Sequence, residues 1–265
     1  WGIKFMPRFV DQNASTKVTA ASTTNVFTAQ DFDATGIVKL LFFLTGAGMV
    51  FGDITRFRVK NGGITTHDFS PAQFQAWYQK YYGVAPVTAD VAFDIPFHLP
   101  YLGDSVDAAD ICQMVPGGQP AIEIVVGAGG AAGTIQMGWI KTTVAPSMYP
   151  ILLGSSMQIA ASSNNAHYPL ADPGVIKGVI IPTTGLTRFN LTLGGARRIN
   201  IEGTTTLAQS QRERNAQVVT DPICSDLGGP QPAPSGNSYV EMDTAAGWVG
   251  AANEVCLYGL RGIAK

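Results

Sequence analysis

The sequence predicts an all-β chain folded as two consecutive jelly-roll β-barrels, each with a short inserted helix. Three observations predict it. Four landmarks recur in the same order in the two halves, they lie on or beside short β-branched or aromatic runs, and each half carries a helix signal between its third and fourth landmark.

The first landmark pairs Ala20-Ala21-Ser22-Thr23-Thr24-Asn25 with Ala160-Ala161-Ser162-Ser163-Asn164-Asn165, at an offset of 140. The second pairs Gly36-Ile37-Val38-Lys39 with Gly174-Val175-Ile176-Lys177, offset 138, and each opens a run that reads as a buried strand. The third pairs Ile54-Thr55-Arg56-Phe57-Arg58-Val59 with Leu186-Thr187-Arg188-Phe189-Asn190-Leu191, offset 132, with Phe inward and Arg outward at the two-residue period of a strand. The fourth pairs Ile122-Glu123-Ile124 with Val240-Glu241-Met242, offset 118. Each member of this last pair precedes a Gly/Ala-rich turn and a final strand, Ile135 to Ile140 and Val255 to Leu260.

The clearer helix begins at Ser70-Pro71, an N-cap followed by proline at the first helical position. Phe74, Trp77, Tyr78 and Tyr81 then follow the i, i+3, i+4, i+7 spacing before Gly83 ends it. Thr204 to Ala216 is its counterpart, with Leu207 and Ala208 as its apolar anchors. In the first half Val91 to Leu99 reads as a strand and Asp104 to Val115 as a short helix. The corresponding Pro222 to Asn237 is rich in Pro and Gly and reads as loop, which accounts for the shrinking offset. The predicted division is an N-terminal arm over 1–15, a first jelly roll over 16–145 and a second over 146–265, with the linker near Thr143 to Pro150.

Composition narrows the function. With 46% hydrophobic residues the chain can bury real cores, and 14% charged residues leave a Gly, Ser, Thr, Ala and Asn surface suited to permanent neighbours. Seventeen basic and nineteen acidic residues show no basic cluster, which argues against direct contact with nucleic acid. Cys112, Cys224 and Cys256 have no metal-ligand spacing and read as free, mostly buried thiols of a chain assembled in a reducing cytoplasm. Leu40 to Phe51 is too short to span a bilayer, so a soluble protein is expected, one still able to lie against a membrane.

The paired Gly-aliphatic-Lys and Thr-Arg-Phe strands, the Ser70 to Tyr82 helix and the final strand pair of each half make the sequence resemble double jelly-roll major capsid proteins. Among these it looks like the short kind found in tailless, lipid-containing bacteriophages such as the corticoviruses. The resemblance covers nearly the whole chain through its layout, without a signature motif. It implies a non-enzymatic capsid protein of an icosahedral virion, forming homotrimers that act as pseudo-hexameric capsomers around an internal membrane. It also implies minor capsid, vertex or membrane proteins as partners. Long insertions between strands, which build towers in larger members, are absent here.

Several residues are candidate sites. Trp1, Lys4, Phe5, Arg8 and Phe9 alternate bases with aromatics and could contact neighbouring capsomers or lipid headgroups; completing the chain's own barrel is the other reading. Asp31 and Asp33, and Asp104, Asp107 and Asp110, could hold a structural calcium or serve as caps and solvated loops; no other cofactor is expected. Gly127 to Gly133 lacks the Lys-Ser/Thr of a phosphate loop and reads as a hairpin turn. His67, His98 and His167 are isolated from one another, which argues against a metal centre. Two other functions stay open: a glycan-processing hydrolase using Glu123 and Asp94 near Trp139, and a carbohydrate-binding or spike protein exposing an aromatic platform.

Overall fold

The computed structural model describes residues 9–28, 37–46, 48–61, 64–82, 92–96, 121–141, 148–154, 160–170, 174–182, 184–203, 222–248 and 255–262. The chain divides into two compact units, Trp1–Pro150 with Gly262–Lys265, and Ile151–Arg261.

The first unit contains β1 (Phe9–Thr19), β2 (Thr24–Thr28), β3 (Ile37–Thr45), β4 (Ile54–Asn61), β5 (Ile64–Phe69), α1 (Pro71–Tyr82), β6 (Ala92–Pro96), β7 (Ala121–Val126) and β8 (Gly133–Lys141). Its antiparallel strands run in the orders β1-β8-β3-β6 and β2-β7-β4-β5. In the second unit β9 (Met148–Gly154), whose first residues precede the division, is followed by β10 (Ala166–Pro169), β11 (Val175–Ile181), β12 (Leu186–Leu193) and β13 (Ala196–Glu202). β14 (Ile223–Pro232), β15 (Tyr239–Thr244) and β16 (Cys256–Gly262) complete it. The orders are β9-β16-β11-β14 and β10-β15-β12-β13. Counted within each unit, strands 1-8-3-6 form one sheet and 2-7-4-5 the other. That is the jelly-roll connectivity, present twice.

All four sequence landmarks fall on topologically equivalent places: the turns before β2 and β10, the starts of β3 and β11, the strands β4 and β12, and the strands β7 and β15. Alternation decides their faces. Phe57, Phe189, Ile122, Ile124, Val240 and Met242 are buried, while Glu123 and Glu241 lie on the outer faces.

The equivalence extends to individual hydrogen bonds. Ser22 N–H donates to Gly127 O at 3.0 Å, Val126 N–H to Thr23 O at 2.8 Å, and Gly127 N–H to Asp53 O at 2.8 Å. In the second unit Ser162 N–H donates to Ala245 O at 3.2 Å, Thr244 N–H to Ser163 O at 2.9 Å, and Ala245 N–H to Gly185 O at 2.7 Å. Ser22 and Ser162 both sit at φ 57°, in the left-handed region where a Cβ is strained. One turn geometry is thus held twice by the same three bonds.

The cores differ in character. Phe57 stacks on Phe51 and Phe69 at centroid distances of 5.8 and 5.4 Å, and Phe69 on Phe74 of α1 at 5.2 Å. This aromatic column docks the helix on the first barrel. The second core is mainly aliphatic, with Ile176, Val179, Ile181, Leu191 and Leu193 around Phe189. The α1 cap is reciprocal: Ser70 N–H donates to Gln73 Oε1 at 2.9 Å and Gln73 N–H to Ser70 Oγ at 3.3 Å, a capping box that complements Pro71.

Two expectations are corrected. Residues 9–15, assigned to an N-terminal arm, belong to β1, which pairs with β8 from Phe9↔Lys141 onward. A barrel needs a first strand beside its last, and that need takes the segment. Pro222 to Asn237, expected as loop, contains β14, paired with β11 from Ile181↔Ile223 to Val175↔Pro232. β14 lies at the end of its strand order, where one side needs no ladder donors. Its Gly and Pro residues gather where the register jumps between Ile176↔Gln231 and Gly178↔Asp226, with Gly228 at φ 78°. The offset shrinks because β6 and β7 are joined by 97–120, whereas β14 and β15 are joined by 233–238. The helices expected over 104–115 and 204–216, and the 143–147 part of the linker, lie outside the described residues.

Candidate functional site

The outer faces of the β2-β7-β4-β5 and β10-β15-β12-β13 sheets carry most of the charged side chains in the described residues. Pairing sets equivalent rows across them: Val26–Glu123–Arg58–Asp68 in the first unit, His167–Glu241–Asn190–Asn200 in the second.

In the first unit the row closes on itself. Lys60 Nζ lies 2.5 Å from Glu123 Oε1, Arg58 Nη1 3.7 Å from Glu123 Oε2, and Arg58 Nε 3.3 Å from Asp68 Oδ1, which also binds Arg56. Each acid is answered by two bases, Arg58 serving both, so the face is an internally ion-paired network.

The second unit keeps the acid but changes its neighbours. Arg58 and Lys60 are replaced by Asn190 and Thr192, and Asp68 by Asn200. Glu241 has His167 Nδ1 at 3.8 Å, and the His167 ring packs on Tyr239 with centroids 4.6 Å apart. Asn190 is 1% exposed and its Oδ1 has no hydrogen-bond donor. Arg188 is engaged elsewhere, with Nε 2.7 Å from Asp243 Oδ2, Nη2 3.0 Å from Asp243 Oδ1, and Asn165 Oδ1 as a further acceptor. The hydrogen bond from Arg188 holds the Asp243 carboxyl below its ordinary pKa and raises that of the guanidinium.

Exposed apolar residues are few among the described residues. Val18, Val26, Phe43 and Val50 are the large ones, and Val18 and Phe43 lie on the outer face of β1-β8-β3-β6, with Thr16, Thr45, Thr134 and Gln136 beside them. Such a face is chemically suited to a protein neighbour.

The predicted site residues are placed as follows. Phe9 begins β1; Trp1, Lys4, Phe5 and Arg8 lie outside the described residues, as do Asp31, Asp33, Asp104, Asp107, Asp110, His98 and Cys112. His67 is buried in the first barrel, and burial lowers its pKa to about 3, so it is a neutral core residue. His167 is on the surface. Cys224 and Cys256 are buried thiols outside any disulfide. Glu123 faces outward on β7 and is bound by Lys60 and Arg58, whereas Trp139 is buried on β8 of the other sheet. The proposed acid–base grouping is therefore not brought together. No group of three or more His, Cys, Asp or Glu able to hold a metal occurs among the described residues. The neutral row around Asn190 escaped sequence reading because its significance is the loss of Arg58 and Lys60 at equivalent positions; the third landmark already contained the Arg58 to Asn190 change.

No protein-family model and no curated protein matches the chain. Solved structures do. The chain is similar to the major capsid protein P2 of bacteriophage PM2 at a TM-score of 0.67 and 13% identity, over 98% of both chains. It is similar to the major capsid protein of Sulfolobus Turreted Icosahedral Virus at 0.60 and 13%, over 96% of this chain and 94% of that one. The PBCV-1 virus capsid matches at 0.53 and 9%, over 98% and 94%. The fold is that of the double jelly-roll capsid proteins.

Proposed function

We propose that this chain is the major capsid protein of a tailless icosahedral virus, a structural subunit whose function is lateral assembly. The observation that carries the reading is the repetition of one strand order in both units, aligned over nearly the full length of this chain with capsid subunits. Two like barrels per chain allow three chains to close a ring of six similar shapes, a pseudo-hexameric capsomer. The internally ion-paired face of the first unit and the exposed Val18 and Phe43 support a role in packing against protein.

The shell would enclose an internal membrane, with minor capsid, vertex or membrane proteins as further partners and the arm residues Trp1, Lys4, Phe5 and Arg8 reaching neighbours or lipid headgroups. The even charge balance supports a subunit that does not itself bind the genome. The reduced thiols of Cys224 and Cys256 support assembly in a reducing host cytoplasm before incorporation in the virion. Bound calcium at the Asp31/Asp33 or Asp104/Asp107/Asp110 groups remains part of the proposal, tested by mass spectrometry of the native oligomer with and without chelator.

Light scattering of the purified chain tests the principal reading. Three copies of 28.0 kDa should give a species of about 84 kDa, and electron microscopy should show pseudo-hexagonal particles. A monomer persisting at high concentration overturns it.

A further inference from the structure

We infer that Glu241, beside the His167 and Tyr239 rings, receives an arginine from a second copy of the chain; this rests on the self-assembling subunit proposed above. The reasoning starts from the repeat. At the equivalent place in the first unit, Glu123 is answered within the chain by Lys60 and Arg58. In the second unit those cations are Thr192 and Asn190, and the acid remains.

What is left is a carboxylate with no Lys or Arg at ion-pair distance among the described residues. Among the described residues Glu241 has only His167 at 3.8 Å as an ion-pair partner, and Arg188 on the same face is held by Asp243 and Asn165. Asn190 and Thr192, which stand where the first unit has Arg58 and Lys60, are buried and uncharged, so this strand offers Glu241 no cation. A carboxylate beside the paired His167 and Tyr239 rings suits a guanidinium, which donates in a plane and stacks on aromatic rings.

The complementary charge is on the same chain. The middle-strand cations of the first unit have their counterpart on the last strand of the β10-β15-β12-β13 order: Arg197 occupies the position equivalent to Thr65, paired with Thr192 as Thr65 is with Lys60. Arg197 and its neighbour Arg198 are exposed and make no ion pair among the described residues. In the first unit Glu123 is paired within the chain; in the second, Glu241 and the two arginines are displayed apart. A neighbouring copy that brings Arg197 or Arg198 onto Glu241 would restore between chains the pairing that the first unit makes within one.

The test uses the full chain and sedimentation velocity across a concentration series. Glu241→Arg should weaken self-association by at least about tenfold in Kd, and the pair Arg197→Glu with Arg198→Glu should do the same. Combining all three reversals should bring Kd back to within about threefold of the parent. Near-ultraviolet circular dichroism checks that each variant is folded, and the milder Glu241→Gln should weaken association in the same direction if Glu241→Arg does not fold. Association unchanged by Glu241→Gln and Glu241→Arg, or a combined variant no better than its parts, overturns the inference. So does saccharide binding abolished by Tyr239→Ala while assembly stays intact. A parent chain that never associates overturns the shell reading and this one together; assembly indifferent to position 241 overturns this one alone.

Discussion

The Tyr258 hydroxyl lies across the backbone of Gly178, so close that a Cβ at position 178 would overlap the phenol oxygen, its Cζ and the Ser225 carbonyl. The phenol donates to Ser225 O at 3.3 Å and accepts from Cys224 Sγ at 3.5 Å, forming a buried layer on the face of β11 opposite the core of the second unit. Glycine is required there because the tyrosine occupies the side-chain space.

Gly178→Ala should therefore destabilise the second unit by about 1–3 kcal/mol, the usual cost of overpacking a filled interior. Urea unfolding followed by tryptophan fluorescence measures it, and an unchanged midpoint would show that Tyr258 can swing aside freely.

The equivalent turns at Ser22 and Ser162 should respond alike. Ser22→Val and Ser162→Val each place a β-branched side chain at φ 57° and should cost about 1–2 kcal/mol, whereas the glycine variants should be neutral or slightly stabilising. A large effect at one position and none at the other, in thermal unfolding, would break the equivalence.

His67 makes stability depend on acid. Its folded pKa of about 3 lies below the 6.5 of an unfolded chain, so the unfolded state takes up a proton first as pH falls. The stability from keeping His67 neutral is complete above about pH 6.5 and is lost toward pH 3, by up to about 1.4 kcal/mol per pH unit. His67→Gln, which cannot titrate, should flatten that slope in chemical denaturation at a series of pH values; an equally steep slope would assign it to other groups.

Cys224 and Cys256 should stay reduced. They pair with Ile180 from either side, which places them two strand spacings apart, roughly 10 Å, beyond the reach of a disulfide. Thiol alkylation followed by mass spectrometry should leave both unmodified in the native protein and modify both in denaturant; a Cys224–Cys256 crosslinked peptide would contradict the strand order.

The repeat, the all-β class, α1 and the inward faces of β4, β7, β12 and β15 were legible in the sequence because each is written in local signals. Phe57 and Phe189 alternate with arginines at the period of the pleat, and Ser70-Pro71 starts a helix whatever lies beyond it. Sequence could also order the landmarks, since equivalent turns demand equivalent small residues. Only the tertiary structure decided that Phe9 begins a barrel strand and that the Pro- and Gly-rich β14 is still a strand, for both follow from which neighbour is available to pair. It alone also decided that Glu123 is neutralised while Glu241 is not. That difference lies in side chains far apart along the chain that the sheet sets side by side, and local periodicity carries no record of who stands across the strand.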